Sequence, residues 1–288
     1  MSTRTIKQIL KDKQLAPSKK LGQNFLIHRQ TAERIVVLAG VTTADTVVEL
    51  GVGLGSLTGP LAAAVDHVIG LEIDAGIIAW QQSEGNLPAN VTLIHQDLLE
   101  ADFTELAERC GGRLKIVANL PYSISNPLLF KLLDNRAVMA WAVLMLQKEV
   151  AMRLVASPGT KEYGILSVRM AGAAKMERLL DVGPGQFHPR PKVDSQVVRI
   201  VFDPPPDRVR SLPPHDGKLL ARVVRAAFGQ RRKTLLNALA AGTLPGETKE
   251  SLLAALDRAA IAPTIRAEQL TIEHYVALTR ELAKNLSP

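Results

Sequence analysis

The 288-residue sequence predicts an α/β protein: a Rossmann-like, mostly parallel sheet with an antiparallel edge hairpin, followed by a small all-α C-terminal domain. Three observations predict it. From Val47 to Phe202 short β-branched runs alternate with longer helical patterns, as they do when helices cover a parallel sheet. The stretch PPPDRVRSLPP at 204–214 then breaks the pattern, because proline withholds the N–H that a helix interior or a central strand needs. Beyond it the periodicity is helical throughout.

Taken in order, residues 1–28 form a basic leading arm ending in a lid, and 29–203 form the sheet domain. The arm carries Arg4, Lys7, Lys11, Lys13, Lys19 and Lys20. Strands are predicted at 46–50, 67–72, 91–95, 114–118, 140–146, 174–182 and 195–202. The last two are too close for a crossover helix, so they read as the edge hairpin. Residues 204–214 form the linker, and helices at 215–229, 231–241, 247–259 and 271–285 fill a domain over 215–288.

Composition narrows the class of protein. Hydrophobic residues make up 47% and charged residues 22%, which excludes a disordered chain. A formal charge of +7 points to a polyanionic partner. Cys110 is the single cysteine and the six histidines show no ligand spacing, so no metal is expected. The N-terminus lacks the apolar core of a signal peptide, and no apolar run reaches membrane-spanning length. The expectation is a cytoplasmic monomer.

Three strand ends carry the first chemical pattern. The strand TVVEL enters Gly51-Val52-Gly53-Leu54-Gly55, after which Ser56 is placed to cap a helix. A glycine turn lets the backbone approach a nucleotide where a Cβ would collide. It matches neither a Walker loop nor the full dinucleotide fingerprint. Glu72 ends the second strand about 20 residues on, where an acid accepts ribose hydroxyls. Asp97 ends the third and suits an adenine amine. Together they describe an adenosine-shaped site without a pyrophosphate cradle, favouring S-adenosylmethionine over NAD.

The fourth strand, KIVANL, runs into Asn119-Leu120-Pro121-Tyr122. Adenine N6 is a poor nucleophile because its lone pair is delocalised into the ring. Acceptors from the Asn119 side chain and a backbone carbonyl of this turn can rehybridise it, so alignment and electrostatics replace a strong base. Tyr122 offers a face for a flipped base. Phe187, before a Pro-rich loop, reads as a core residue when taken alone and as a candidate for the opposite face beside Tyr122.

These motifs, in order, are Gly22-Gln23-Asn24-Phe25-Leu26, VELGVGLG, Glu72 with Asp74, Gln96-Asp97, NLPY, Leu146-Gln147-Lys148-Glu149-Val150, and Phe187-x-Pro189-x-Pro191-Lys192-Val193-Asp194-Ser195. The chain resembles the ribosomal RNA adenine dimethyltransferase family, whose sheet domain is a class I methyltransferase. The resemblance covers residues 19–202 by motif and the tail by arrangement. It implies dimethylation of two adjacent adenosines near the 3′ end of small-subunit (16S) ribosomal RNA, with the small ribosomal subunit as partner and a link to ribosome assembly. It places cofactor contacts on Asn24, Leu26, Gly51, Glu72, Asp97 and Asn119, and base stacking on Tyr122 and Phe187. Gln23 and Gly53 join the cofactor set as parts of the lid and the glycine turn. One departure is Val52, where the family usually has a proline that stiffens the turn.

Arg222, Arg225, Arg231, Arg232 and Lys233 form the densest basic cluster of the tail, and RNA phosphates are their expected partners. The nearest rival is a large-subunit ribosomal RNA adenine methyltransferase of the resistance type, with the same catalytic apparatus. A DNA amino methyltransferase would carry a Pro-Pro-Tyr core, against Leu120 here. A non-catalytic RNA-binding assembly or transcription factor is a rival of a different class; it would not need every cofactor and target position filled.

Overall fold

The computed structural model describes residues 22–285 except 84, 86, 243 and 245. The arm with Arg4, Lys7, Lys11, Lys13, Lys19 and Lys20 lies outside the described residues.

In chain order the elements are β1 (Phe25–Leu26), α1 (Arg29–Ala39), β2 (Thr46–Leu50), α2 (Thr58–Ala62), β3 (His67–Glu72), α3 (Ala75–Ser83), β4 (Val91–His95) and α4 (Phe103–Arg109). There follow β5 (Leu114–Asn119), α5 (Ser125–Asp134), β6 (Met139–Gln147), α6 (Lys148–Leu154), α7 (Ile165–Ala171), β7 (Lys175–Val182), β8 (Phe187–His188) and β9 (Ser195–Val201). The remaining helices are α8 (Asp207–Arg210), α9 (Gly217–Gly229), α10 (Leu235–Ala241), α11 (Lys249–Arg258) and α12 (Ile272–Lys284).

Seven strands form one sheet in the order β4-β3-β2-β5-β6-β9-β7. The pairs among β4, β3, β2, β5 and β6 are parallel, and β6 pairs with β9 antiparallel. The chain moves outward from β2 to β4, then returns to β5 on the other side of β2. Strand order therefore reverses between β2 and β5, the point at which open α/β sheets leave a crevice beyond their carboxyl ends.

The sheet is covered on both faces. Val47, Val117, Val143, Met145 and Val197 share a buried cluster with Ala32, Ile35 and Val36 of α1 and Leu61 of α2. Their alternates Ile116, Ala118, Leu144, Leu146 and Val198 point the opposite way and are also at most 1% exposed. Such two-sided burial explains why these strands read as continuous apolar runs. Helix ends carry ordinary signals: Gly40, at φ 63°, closes α1 in the left-handed region. The Asp102 side chain caps α4 by accepting from the Thr104 and Glu105 amides.

Residues up to Ala151 with Met176–Pro204 make one compact unit, and Met152–Lys175 with the chain from Pro205 make the other. The sequence placed 152–175 in the sheet domain. The structure assigns it to the helical unit because Tyr163 and Val168 are buried in a core shared with α9, α10, α11 and α12. The Tyr163 hydroxyl donates to the Leu270 carbonyl at 2.9 Å, and its ring lies 6.3 Å from that of Phe228. The expected linker is also partly structured: the prolines at 204–206 lead into α8, and Arg208 Nε donates to the Ala171 carbonyl. The helix expected at 231–241 begins only at Leu235, so 230–234 is a turn.

Candidate active site

The glycine turn after β2 is pinned to the next strand. The amides of Gly51 and Val52 both donate to the Leu71 carbonyl, at 2.9 and 3.2 Å. A proline at 52 could not make the second bond, so Val52 holds the turn by a hydrogen bond where a ring would hold it by stiffness. Gly53 has φ 54°, and a Cβ there would sit 3.2 Å from the Phe25 ring, so glycine lets that ring pack on the turn. Ser56 does not cap a helix: α2 starts two residues later with Leu57 as its cap, and Ser56 Oγ donates to the Leu26 carbonyl at 2.6 Å. That bond ties turn to lid. Gln23 makes a second tie, its Nε2 donating to Asp74 Oδ2 at 3.0 Å.

The lid contains β1, which pairs antiparallel with β8 through Phe25 with His188 and Leu26 with Phe187. Two-residue strands have no readable period, so the sequence showed only a loop. The pairing fixes Phe187: its ring is 3% exposed and packed in the core with Leu26, Ile35 and Val197. Phe187 therefore does not present the open stacking face expected of it. Leu120 is likewise a core residue at 1% exposure, so only its backbone can act in the site.

Three acids come together at the strand ends. Glu72 is 6% exposed; its Oε2 accepts from the Gly53 amide at 2.8 Å and its Oε1 from the Ile73 and Asp74 amides, each at 2.9 Å. Three backbone donors fix this carboxylate in place. Asp97 Oδ1 accepts from the Leu99 amide at 2.8 Å, while no bond involves Oδ2 among the described residues. Glu49, one residue before the end of β2, is 1% exposed, and burial, reinforced by the charge of Glu72, pushes its carboxyl up to about 8. Sequence reasoning missed Glu49; its only signal was an acid inside an otherwise apolar parallel strand.

Asn119 ends β5 and gives its Nδ2 hydrogen to the Asn24 carbonyl at 3.1 Å, leaving Oδ1 as an acceptor. Tyr122 is half-buried, and its hydroxyl lies 2.6 Å from Ser195 Oγ at the start of β9. Burial raises the phenol above its ordinary value of 10.0, so it stays neutral at physiological pH. Ser195 is fully buried and was quoted only as part of a motif, without a role.

Gln23, Asn24, Leu26, Gly51, Gly53, Glu72, Asp97 and Asn119 all line one cleft. Pro121 and Glu49 line it too, with Ile73, Leu98 and Leu99 as apolar walls. Leu120, Tyr122 and Phe187 do not. Among the described residues its walls contain Glu49, Glu72 and Asp97 but no Lys, Arg or His. In a chain of net charge +7 that is a local inversion, suited to a cationic small molecule and unsuited to a pyrophosphate. The glycine turn and the orphaned Glu49 oxygen both fit an adenosyl sulfonium.

The basic cluster of the helical unit is heterogeneous. Arg222 and Arg225 are exposed on α9 and line a concavity with Gln230 and Ala238, without partners among the described residues. Arg232 and Lys233 are exposed in the 230–234 turn. Arg231 is not a free cation: its Nη2 donates to the carbonyls of Lys161 and Tyr163 at 2.8 and 3.0 Å. It holds the turn against the segment that the sequence placed elsewhere. Among the described residues no group of three or more His, Cys, Asp or Glu is placed to hold a metal, and no helix is long and apolar enough to cross a membrane.

A reversed-order parallel sheet with an acid-lined cleft at its switch point is the architecture of a Rossmann-like class I methyltransferase. Residues 15–284 match the family model described as ribosomal RNA adenine dimethylase. Relatives named ribosomal RNA small subunit methyltransferase A include one from Desulfotalea psychrophila, 49% identical across 94% of this chain and 92% of its own, and one from Magnetococcus marinus, 42% identical across 95% and 94%. A dimethyladenosine transferase from Plasmodium falciparum superposes with a TM-score of 0.72 at 25% identity, covering 91% of this chain and 98% of that one. The 23S rRNA methyltransferase ErmE shares the fold, with a TM-score of 0.63 at 24% identity over 90% and 99% of the two chains. The chain belongs to the ribosomal RNA adenine dimethylase family, and it is a methyltransferase whose family implies S-adenosylmethionine as donor.

Proposed function

We propose that this protein dimethylates the N6 amino groups of two adjacent adenosines near the 3′ end of small-subunit (16S) ribosomal RNA. The observation that carries the reading is the gathering of Gly51, Glu72, Asp97 and Asn119, from the ends of four neighbouring strands, around one acid-lined cleft in a member of this family. The relatives' names favour the small subunit over the large-subunit alternative.

S-adenosylmethionine, when bound, supplies a methyl group activated by the sulfonium charge. Glu72, preset by three amides, accepts the ribose hydroxyls through its remaining lone pairs, and Asp97 Oδ2 accepts the adenine amine. Gln23, Asn24 and Leu26 close over them and exclude water, held by Asp74 and Ser56. Gly51 and Gly53 keep the floor free of side chains. On the target side, Asn119 Oδ1 and a carbonyl of the Leu120-Pro121 turn accept the two N6 hydrogens, so that the nitrogen lone pair is freed from the ring and aimed at the methyl carbon. Tyr122 gives the base a stacking face, and Phe187 backs the lid from behind. The nitrogen would take the methyl as the sulfonium leaves as a neutral thioether, and would shed its proton to solvent, so the reaction needs alignment and calls for no metal.

Arg222, Arg225, Arg232 and Lys233 bind RNA phosphates in this reading, and Arg231 braces the turn that carries Arg232 and Lys233. The enzyme acts as a monomer in the cytoplasm, where subunits are assembled. Incubation with labelled S-adenosylmethionine and unmethylated small or large subunits, followed by mass-spectrometric mapping, tests it. Label on two adjacent adenosines of the small subunit is the expected result; label on the large subunit, or on no RNA, contradicts it.

A further inference from the structure

Glu49 lines the cleft, yet nothing in the reading above gives it a task. Its side chain is 1% exposed, and Oε2 has neither solvent nor a hydrogen-bond partner. Leaving such an oxygen unpaired is costly, and an ionised carboxylate would be far costlier there. No cation among the described residues lining the cleft offsets its charge, and the Thr58 hydroxyl eases it only in part. β3 sets Gly70 beside it and brings Glu72, a second acid, within electrostatic reach. β5 sets Val117 on the other side, α2 offers the neutral Thr58 hydroxyl, and β4 contributes Asp97 to the same cleft. With burial and Glu72 pushing its carboxyl up to about 8, Glu49 is mostly neutral at pH 7 in the empty cleft. What is missing is a partner with positive charge.

We propose that Glu49 is a proton-switched counter-ion for the methyl donor: it gives up its proton to solvent when a cationic adenosyl cofactor enters the cleft and takes one back when the cleft empties. This rests on the reading that the cleft binds S-adenosylmethionine. In the step the Oε2–H bond breaks, its electron pair stays on the carboxylate, and the proton goes to bulk buffer. The incoming charge replaces the proton, so the buried carboxylate forms only when a cation faces it. Glu72, by contrast, is already satisfied by three amides and has no comparable reason to exchange a proton.

Linkage sets the sign. Because binding releases a proton, cofactor affinity rises with pH while Glu49 is protonated and levels off above about 8. The limiting slope is about tenfold in Kd per pH unit, corresponding to one proton. Ligand-free stability moves the other way. A carboxyl raised in the folded state favours folding most below its ordinary value of 4.5, and that advantage is lost as pH rises toward about 8.

The test is calorimetric titration of the full chain with S-adenosylmethionine at pH 7, in phosphate and in Tris, which differ in ionisation enthalpy. The wild type and Glu49→Gln are compared, with Kd also measured at pH 6 and 8. The wild type is expected to release close to one proton and to bind more tightly as pH rises; Glu49→Gln is expected to lose both effects. Buffer-independent enthalpies for the wild type, or full proton release by Glu49→Gln, overturn the proposal. A folded wild type that binds no S-adenosylmethionine in either buffer overturns the cofactor reading itself, and the proposal with it. Thermal unfolding of the ligand-free proteins from pH 4.5 to 8 gives a second readout that needs no cofactor: the wild-type decline is expected to flatten in Glu49→Gln, and an unchanged decline counts against the switch.

Discussion

The acid-lined cleft and the basic turn at 230–234 present their polar groups in opposite ways. In the cleft the polar groups are buried and held: Glu72 accepts three amides, Asn119 is oriented by the Asn24 carbonyl, and the lid is tied by Gln23 and Ser56. In the turn, Arg232 and Lys233 stand exposed, and only Arg231 is anchored. A held group loses its full pairing when altered, whereas an exposed cation contributes a screened charge that solvent partly replaces. Substitutions in the cleft should therefore act sharply on one step, and those in the turn should act diffusely and with salt.

The sharpest break is expected at Asn119. Asn119→Ala should slow single-turnover methyl transfer by about 100-fold or more while leaving affinity for small subunits nearly unchanged, since in the proposed mechanism its acceptor acts on N6 in the transition state. Equal rates in mutant and parent would remove it from the mechanism. Glu72→Ala comes next. Leaving ribose hydroxyls and three amides without their acceptor should weaken S-adenosylmethionine binding by about 1–3 kcal/mol, roughly 5- to 150-fold in a calorimetric Kd.

Much of this cleft was legible because strand ends in a parallel sheet are where ligands bind, and Gly51, Glu72, Asp97 and Asn119 each follow a clear β-branched run. Glu49 was not, because one acid inside TVVEL reads as a strand residue, and its isolation depends on what β3 and β5 place beside it. The β1–β8 pair was missed because two residues carry no alternation, and without it the core and stacking readings of Phe187 stayed undecided. Segment 152–175 was misplaced because its partners, such as Leu270 and Phe228, lie far along the chain. Arg231 looked like its neighbours in composition; only the Lys161 and Tyr163 carbonyls distinguish it.

Ser195 sharpens the comparison at its edge, being a buried group that acts through another. Ser195→Ala should free the Tyr122 ring and cost about two- to tenfold in kcat or in KM for RNA, with cofactor Kd unchanged and rescue by Ser195→Thr. A uniform loss of stability without that split would mean that the contact only packs β9. The mildest effect is expected in the turn. Changing Arg232 and Lys233 to Gln should flatten the slope of log affinity against log salt by about 1.4, at about 0.7 per phosphate on single-stranded RNA. Arg231→Gln should lower the melting temperature of the protein more than it changes that slope; the reverse ranking would make Arg231 the RNA contact.

The central claim is that the acid-lined cleft at the β2/β5 switch point is the methyl-donor site. A crystal structure with S-adenosylhomocysteine tests it most directly. The account predicts ribose hydroxyls on the Glu72 carboxylate and the adenine amine on Asp97 Oδ2, with the ring against the apolar wall of Ile73, Leu98 and Leu99. Density for the ligand anywhere else, or a filled cleft in which Glu72 still bonds only to the amides of Gly53, Ile73 and Asp74, would contradict it.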